Sequence, residues 1–160
     1  MTFNTLSVLG LGYVGLPTAA VFASRGVDVI GVDTNAAVVA MINRGEIHIV
    51  EPDLGELVKS AVAAGKLRAA TKPEPADAFI IAVPTPFTDD HKPDLRYLMA
   101  AAESLAPVLK RGDLIVIEST VPVGATQSVS ERLAQMCPHL SFPHNSEDAD
   151  IHIAHSPERV

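Results

Sequence analysis

The order of its apolar segments most narrows the folds open to this chain. Short runs rich in Val, Ile, Leu and Ala, at 6–9, 28–32, 67–70, 78–83, 114–118 and 151–154, alternate with longer segments bearing helix start and stop signals. A short, nearly continuous apolar run suits a strand buried on both faces, and parallel strands of that kind need helical crossovers. The alternation therefore predicts βαβ units and an α/β fold: about six parallel strands, doubly wound, with helices on both faces. Helices are expected at 14–24, stopped by Gly26, at 35–43, capped by Asn35 and stopped by Gly45, and at 53–64, stopped by Gly65. Asp94 is expected to cap a helix to about residue 109, with Pro107 straining its last turn. A last helix is expected from Thr126 to about Cys137, before Pro138.

Composition narrows the function classes. At 160 residues the chain has room for one domain, and a sheet of this size consumes it. Apolar residues at 48% can supply a core, while aromatics at 4% with no Trp leave little from which to build a base-stacking surface. A formal charge of -7, with Lys110-Arg111 the only adjacent basic pair, argues against binding along a phosphate backbone. The single cysteine, Cys137, cannot form an internal disulfide, and no basic residue precedes Arg25 to head a leader, so a cytoplasmic location is expected. The longest apolar run, 78–83, falls far short of the ~20 residues that cross a bilayer. Neither a nucleic acid nor a membrane is expected as a partner.

The chemistry is concentrated where strands give way to loops. Gly10-Leu11-Gly12-Tyr13-Val14-Gly15 follows the first run and opens the first helix. In a Rossmann-type βα turn the first glycine permits the tight turn, the second lets backbone approach a pyrophosphate, and the third allows close helix–strand contact. Tyr13 and Val14 would offer backbone N–H groups at the positive end of the helix dipole. Asp33, roughly twenty residues beyond the first glycine, ends the second run, where an acid can hold adenosine ribose hydroxyls. With no cation among Thr34, Asn35 and Ala36 to meet a 2′-phosphate, NAD is expected rather than NADP. Two alternatives stay open: Asp33 as a helix cap, and a methyltransferase using S-adenosylmethionine, whose glycine loop and acid are alike.

Ligands of open parallel sheets collect outside the carboxyl ends of strands, which places Thr85, Thr120 and Thr126 as candidate hydroxyl donors to phosphate, ribose or nicotinamide. Ordinary proline turns and a Ser/Thr cap are the competing reading. His152 and His155 sit in an alternating run, where residues three apart face opposite sides, so no metal site is expected. Cys137, at a helix carboxyl end, reads as a structural thiol. Glu158 beside Arg159 is either an exposed ion pair or a functional acid on the ligand side of the sheet.

Together these blocks resemble the NAD-dependent nucleotide-sugar dehydrogenases, which oxidise UDP-glucose, GDP-mannose and relatives. The matching segments are GLGYVGLP at 10–17, VDTN at 32–35, VPTP at 83–86, ESTVPVGAT at 118–126 and SPERV at 156–160. RGEIHIVEPD at 44–53 and the PERV ending resemble the bacterial UDP-N-acetyl-D-mannosamine dehydrogenase branch. The resemblance implies a four-electron oxidation of a sugar C6 alcohol to a carboxylate with two NAD, through an aldehyde and a cysteine-bound thioester, for cell-surface polysaccharide precursors. It implies NAD contacts at Gly10, Gly12, Tyr13, Val14, Gly15, Asp33, Thr85 and Thr126, with Thr120 near the nicotinamide or a reacting water. Glu158 resembles an acid/base or water-orienting residue, and Arg159 and Val160 the start of the UDP-sugar site.

The family's nucleophilic cysteine, its essential lysine, its central helix and its second domain have no counterpart in 1–160, and Cys137 does not match the nucleophile. The expectation is an amino-terminal NAD-binding domain over 1–160, inactive alone, of a parent that forms a homodimer or higher oligomer. A non-catalytic NAD-binding sensor or scaffold, or a domain of another UDP-sugar or hydroxy-acid dehydrogenase, are the alternatives.

Overall fold

The six apolar runs become the six strands of one sheet. The computed structural model describes residues 3–88, 91 and 93–157. The strands are β1 (Thr5–Leu9), β2 (Asp28–Val32), β3 (Leu67–Ala70), β4 (Ala78–Ile81), β5 (Leu114–Ile117) and β6 (His152–His155). They lie in the order β3-β2-β1-β4-β5-β6, and every neighbouring pair is parallel. The crossovers are α1 (Gly15–Ser24), α2 (Ala36–Asn43), α3 (Leu54–Ala63), α4 (Arg96–Leu105) and α5 (Ala125–Met136). The order reverses between β1 and β4, so right-handed crossovers place α1, α2 and α3 on one face and α4 and α5 on the other.

Each face has its own core, and the two-residue period of the strands divides side chains between them. Ala78 and Ile80 pack with Leu16, Ala19, Val58 and Leu67 on one side, whereas Phe79 and Ile81 pack with Leu98, Leu105, Val129 and Leu133 on the other. Continuous burial along β4 is the reason its sequence shows no alternation. Gly31 in β2 is demanded by packing, since a Cβ there would come within 2.8 Å of the Leu11 side chain.

Several element ends differ from the sequence reading, each for a local reason. β4 stops at Ile81 rather than residue 83, because Pro84 has no N–H and the chain turns into its loop. β5 stops at Ile117, since the N–H groups of Glu118 and Ser119 both converge on the Ile81 carbonyl and close the ladder. β6 begins at His152, because the Ile151 N–H is diverted to the Ser141 carbonyl at 3.1 Å. Asp94 serves α4 from just outside it: its buried carboxylate accepts the Arg96 N–H at 3.0 Å and pairs with the Arg96 guanidinium. α4 ends at Leu105 rather than near 109, two residues before Pro107. Asn35 caps α2 as expected, accepting the Ala37 N–H at 3.0 Å, whereas Asp53 caps α3 through no side-chain bond and sits at φ 62. No helix among the described residues is long and apolar enough to cross a membrane.

The amino end of the sheet is tied by carboxylates. Asp77 Oδ2 accepts from the N–H of Asn4, the N–H of Thr5 and the Thr5 hydroxyl, at 3.0, 3.0 and 2.9 Å. These bonds, with Lys110 nearby, hold its acid well below the ordinary 3.8, at about 2. Asp113, buried, pairs with Lys110, and Asp150 joins Ser141 to Arg111.

Candidate functional site

Where the strand order reverses, the loops after β1 and β4 leave toward opposite faces and a crevice opens between them. The cleft there measures about 820 Å³, and Gly10, Gly12, Tyr13, Val14 and Asp33 all line it. Two glycines of the turn are required by the protein's own packing. Gly10 has φ 91, and a Cβ on it would lie 2.6 Å from the Ala82 carbonyl oxygen; on Gly15 a Cβ would lie 1.8 Å from the Gly10 oxygen. Gly12 is different: its φ is not positive and a Cβ there would meet nothing within 4 Å. Only an occupant of the cleft would contest that space.

The start of α1 points the same way. Its cap residue, Val14, has no side-chain bond to offer. The N–H groups of Gly12, Tyr13 and Val14 find no acceptor among the described residues. An uncapped helix start with free donors, over a cradle a side chain would fill, fits a diphosphate. Asp33, at the end of β2, accepts the Leu11 N–H on Oδ2 at 3.1 Å and the Asn35 N–H on Oδ1 at 2.9 Å. It thereby ties the glycine turn to β2 while keeping lone pairs for sugar hydroxyls. The helix cap is Asn35, so the alternative of Asp33 as that cap does not hold.

The remaining sequence candidates are dispersed. Thr85 donates its hydroxyl to the Thr120 carbonyl at 2.7 Å, which cross-links the loops after β4 and β5 beside the cleft. Ser119, in the same loop, donates to the Val83 carbonyl at 2.6 Å, and Thr18 of α1 donates to Glu118 at 3.3 Å. Thr126 lies apart, in a second hollow of about 370 Å³ with Ser130, His144 and Ile153. Glu158, Arg159 and Val160 fall outside the described residues. The Cys137 thiol is buried, donates to the Ala106 carbonyl at 3.4 Å, and has its pKa pushed up by burial, the opposite of an activated nucleophile. No group of three or more metal-ligating side chains is gathered among the described residues.

The cleft also has walls that sequence reasoning missed. Tyr97, Ala100, Ala101 and Ser104 line it from α4, at the spacing of one helical face, and His48 and Lys72 line it at the β2–β3 end. The strand-end rule, applied to the run at 67–70 as it was to those at 78–83 and 114–118, points to Lys72. His48 carries no such signal, because the loop after α2 reaches the cleft only through the folding of the chain.

A doubly wound parallel sheet with a glycine-floored crevice at its switch point, and an acid at the end of β2, defines a dinucleotide-binding domain. The model of the UDP-glucose/GDP-mannose dehydrogenase family, NAD binding domain, matches residues 4–160, and the chain belongs to that family, with NAD as its cofactor. It is 64% identical to the NDP-N-acetyl-D-galactosaminuronic acid dehydrogenase of Ralstonia nicotianae, over 99% of this chain and 38% of that protein. It is 62% identical to the UDP-N-acetyl-D-mannosamine dehydrogenase of Yersinia pestis, over 100% of this chain and 38% of that one. Among solved structures, the UDP-N-acetyl-mannosamine dehydrogenase of Staphylococcus aureus superposes with a TM-score of 0.87 at 41% identity, covering 98% of this chain and 37% of that one. The chain thus spans a little over a third of the length of the relatives it matches.

Proposed function

We propose that this chain is the cofactor-binding domain of an NAD-dependent UDP-N-acetyl-D-mannosamine 6-dehydrogenase, which oxidises the sugar C6 alcohol to the uronate. The observation that carries the reading is the open space above Gly12, bordered by the uncapped start of α1. Gly12, Tyr13 and Val14 would hold the diphosphate through backbone N–H groups, and Asp33 the adenosine ribose. The Thr85–Thr120 bond would fix the loops after β4 and β5 against the nicotinamide end. NAD, when bound, accepts hydride from the sugar carbon. The groups that act on that carbon covalently would come from outside 1–160, a reading supported by the burial and raised pKa of Cys137.

Calorimetric titration of the 160-residue chain with NAD tests the first part. One saturable site is expected, and no steady NADH production on addition of UDP-N-acetyl-D-mannosamine; a chain that bound no NAD, or that turned over alone, would contradict the proposal. The Ralstonia relative supports a second reading for the sugar, an N-acetylgalactosamine-configured substrate. The ratio of kcat/KM for the two UDP-sugars, measured on the protein that contains this domain, separates them.

A further inference from the structure

The preference between NAD and NADP is set by charges around the adenosine ribose, and the residues beside Asp33 in sequence include no cation. The fold brings one to the same cleft from elsewhere. β2 and β3 are parallel neighbours with Val32 opposite Ala70, and the Asp33 N–H donates to the Ala70 carbonyl at 3.1 Å. Lys72 follows β3 by two residues as Thr34 follows β2, with the chain bending at both places. Thr34, Asp33 and Lys72 all line the cleft. Pro73 biases the Lys72 backbone toward an extended course, which limits where its side chain can go.

The lack of an ion-pair partner among the described residues sets this lysine apart from its neighbours. On and beside β3, Lys66 pairs with Asp28 at 2.7 Å and Arg68 with Glu74 at 2.6 Å. Among the described residues Lys72 has no hydrogen bond or ion pair, and it is the only lysine or arginine of these that lines the cleft. No ion pair joins Lys72 to Asp33, whose two carboxylate oxygens each accept one backbone N–H.

Resting on the reading of this cleft as the NAD site, we propose that Lys72 is a specificity-determining residue at its adenosine end. Asp33 repels a 2′-phosphate and Lys72 attracts it, so the two side chains together set the ratio of NADP to NAD affinity. The prevailing preference for NAD then reflects Asp33 outweighing a cation already in place, rather than the absence of any cation.

The test is the ratio of the dissociation constants for NADP and NAD, measured by calorimetry on the 160-residue chain. Lys72→Gln is expected to move the ratio about tenfold further toward NAD, the size of one lost charge-assisted phosphate contact, and Lys72→Arg to keep it near the original value. Asp33→Asn, which retains the Oδ1 acceptor, is expected to move the ratio at least tenfold toward NADP, and Lys72→Gln in that background to undo most of the gain. A ratio unmoved by Lys72→Gln in both backgrounds, with NAD still bound, would overturn the role of Lys72 alone. Absence of NAD binding by the unaltered chain would overturn the cofactor site itself, and the role of Lys72 with it.

Discussion

The two ends of the sheet are built from the same residue types and put them to opposite uses. At the amino end, Asp77, Asp113 and Asp150 spend their oxygens on the protein's own N–H groups, hydroxyls and cations. At the carboxyl end, the helix start has no side-chain cap, the cleft lysine is unpaired among the described residues, and Gly12 faces open space. A polar group satisfied internally stabilises the fold, and one left open toward a cleft can serve a ligand at some cost in stability. Paired charges mark the end that holds the molecule together, and open backbone donors mark the end proposed to take the cofactor.

Substitutions in the glycine turn should break this contrast most sharply. Gly15→Ala would set a methyl group 1.8 Å from the Gly10 oxygen. It should destabilise the domain by more than about 3 kcal/mol, seen as a lowered midpoint in urea unfolding. Gly12→Val meets no protein atom near its Cβ and should leave the unfolding midpoint nearly unchanged, while weakening NAD binding by a factor on the order of 100 or more. Equal effects of the two changes on stability would erase the distinction between packing and ligand glycines.

At the other end the expected changes spare binding. Asp77→Ala removes the acceptor for three donors around Asn4 and Thr5, and should cost about 1–3 kcal/mol in urea unfolding with NAD affinity within twofold. The same carboxylate makes stability depend on pH. Its folded pKa is depressed from 3.8 to about 2, so its contribution is complete above about pH 4 and is lost as pH falls toward 2. Comparing wild type with Asp77→Ala across that range should show the stability gap closing on acidification; a constant gap would mean the carboxylate's charge is irrelevant. The smallest effect is expected for Thr85→Val, which removes the bond to the Thr120 carbonyl and should weaken NAD binding only a few-fold.

Legibility in the sequence followed the range of the forces involved. The six strands, the helix cap at Asn35 and the glycine turn were readable because each depends on residues adjacent in the chain or spaced by one period. Strand ends were less so: β5 closes because two N–H groups share the Ile81 carbonyl, a partner distant in sequence. Thr85, Thr120 and Thr126 share the same strand-end logic, yet the fold joins the first two and places the third in another hollow. The wall formed by α4 and the arrival of His48 and Lys72 at the cleft depend on crossovers and strand order.

By itself the sequence determined that this chain forms a doubly wound parallel sheet with a glycine turn after its first strand. Periodicity, glycine and proline act locally, and local forces are written in neighbouring residues. Only the tertiary structure decided which glycines the fold's own packing requires, which carboxylates are engaged, and that a lysine following β3 lines the same cleft as Asp33. Those outcomes turn on distances between residues far apart in the chain, and such distances exist only once the sheet has assembled.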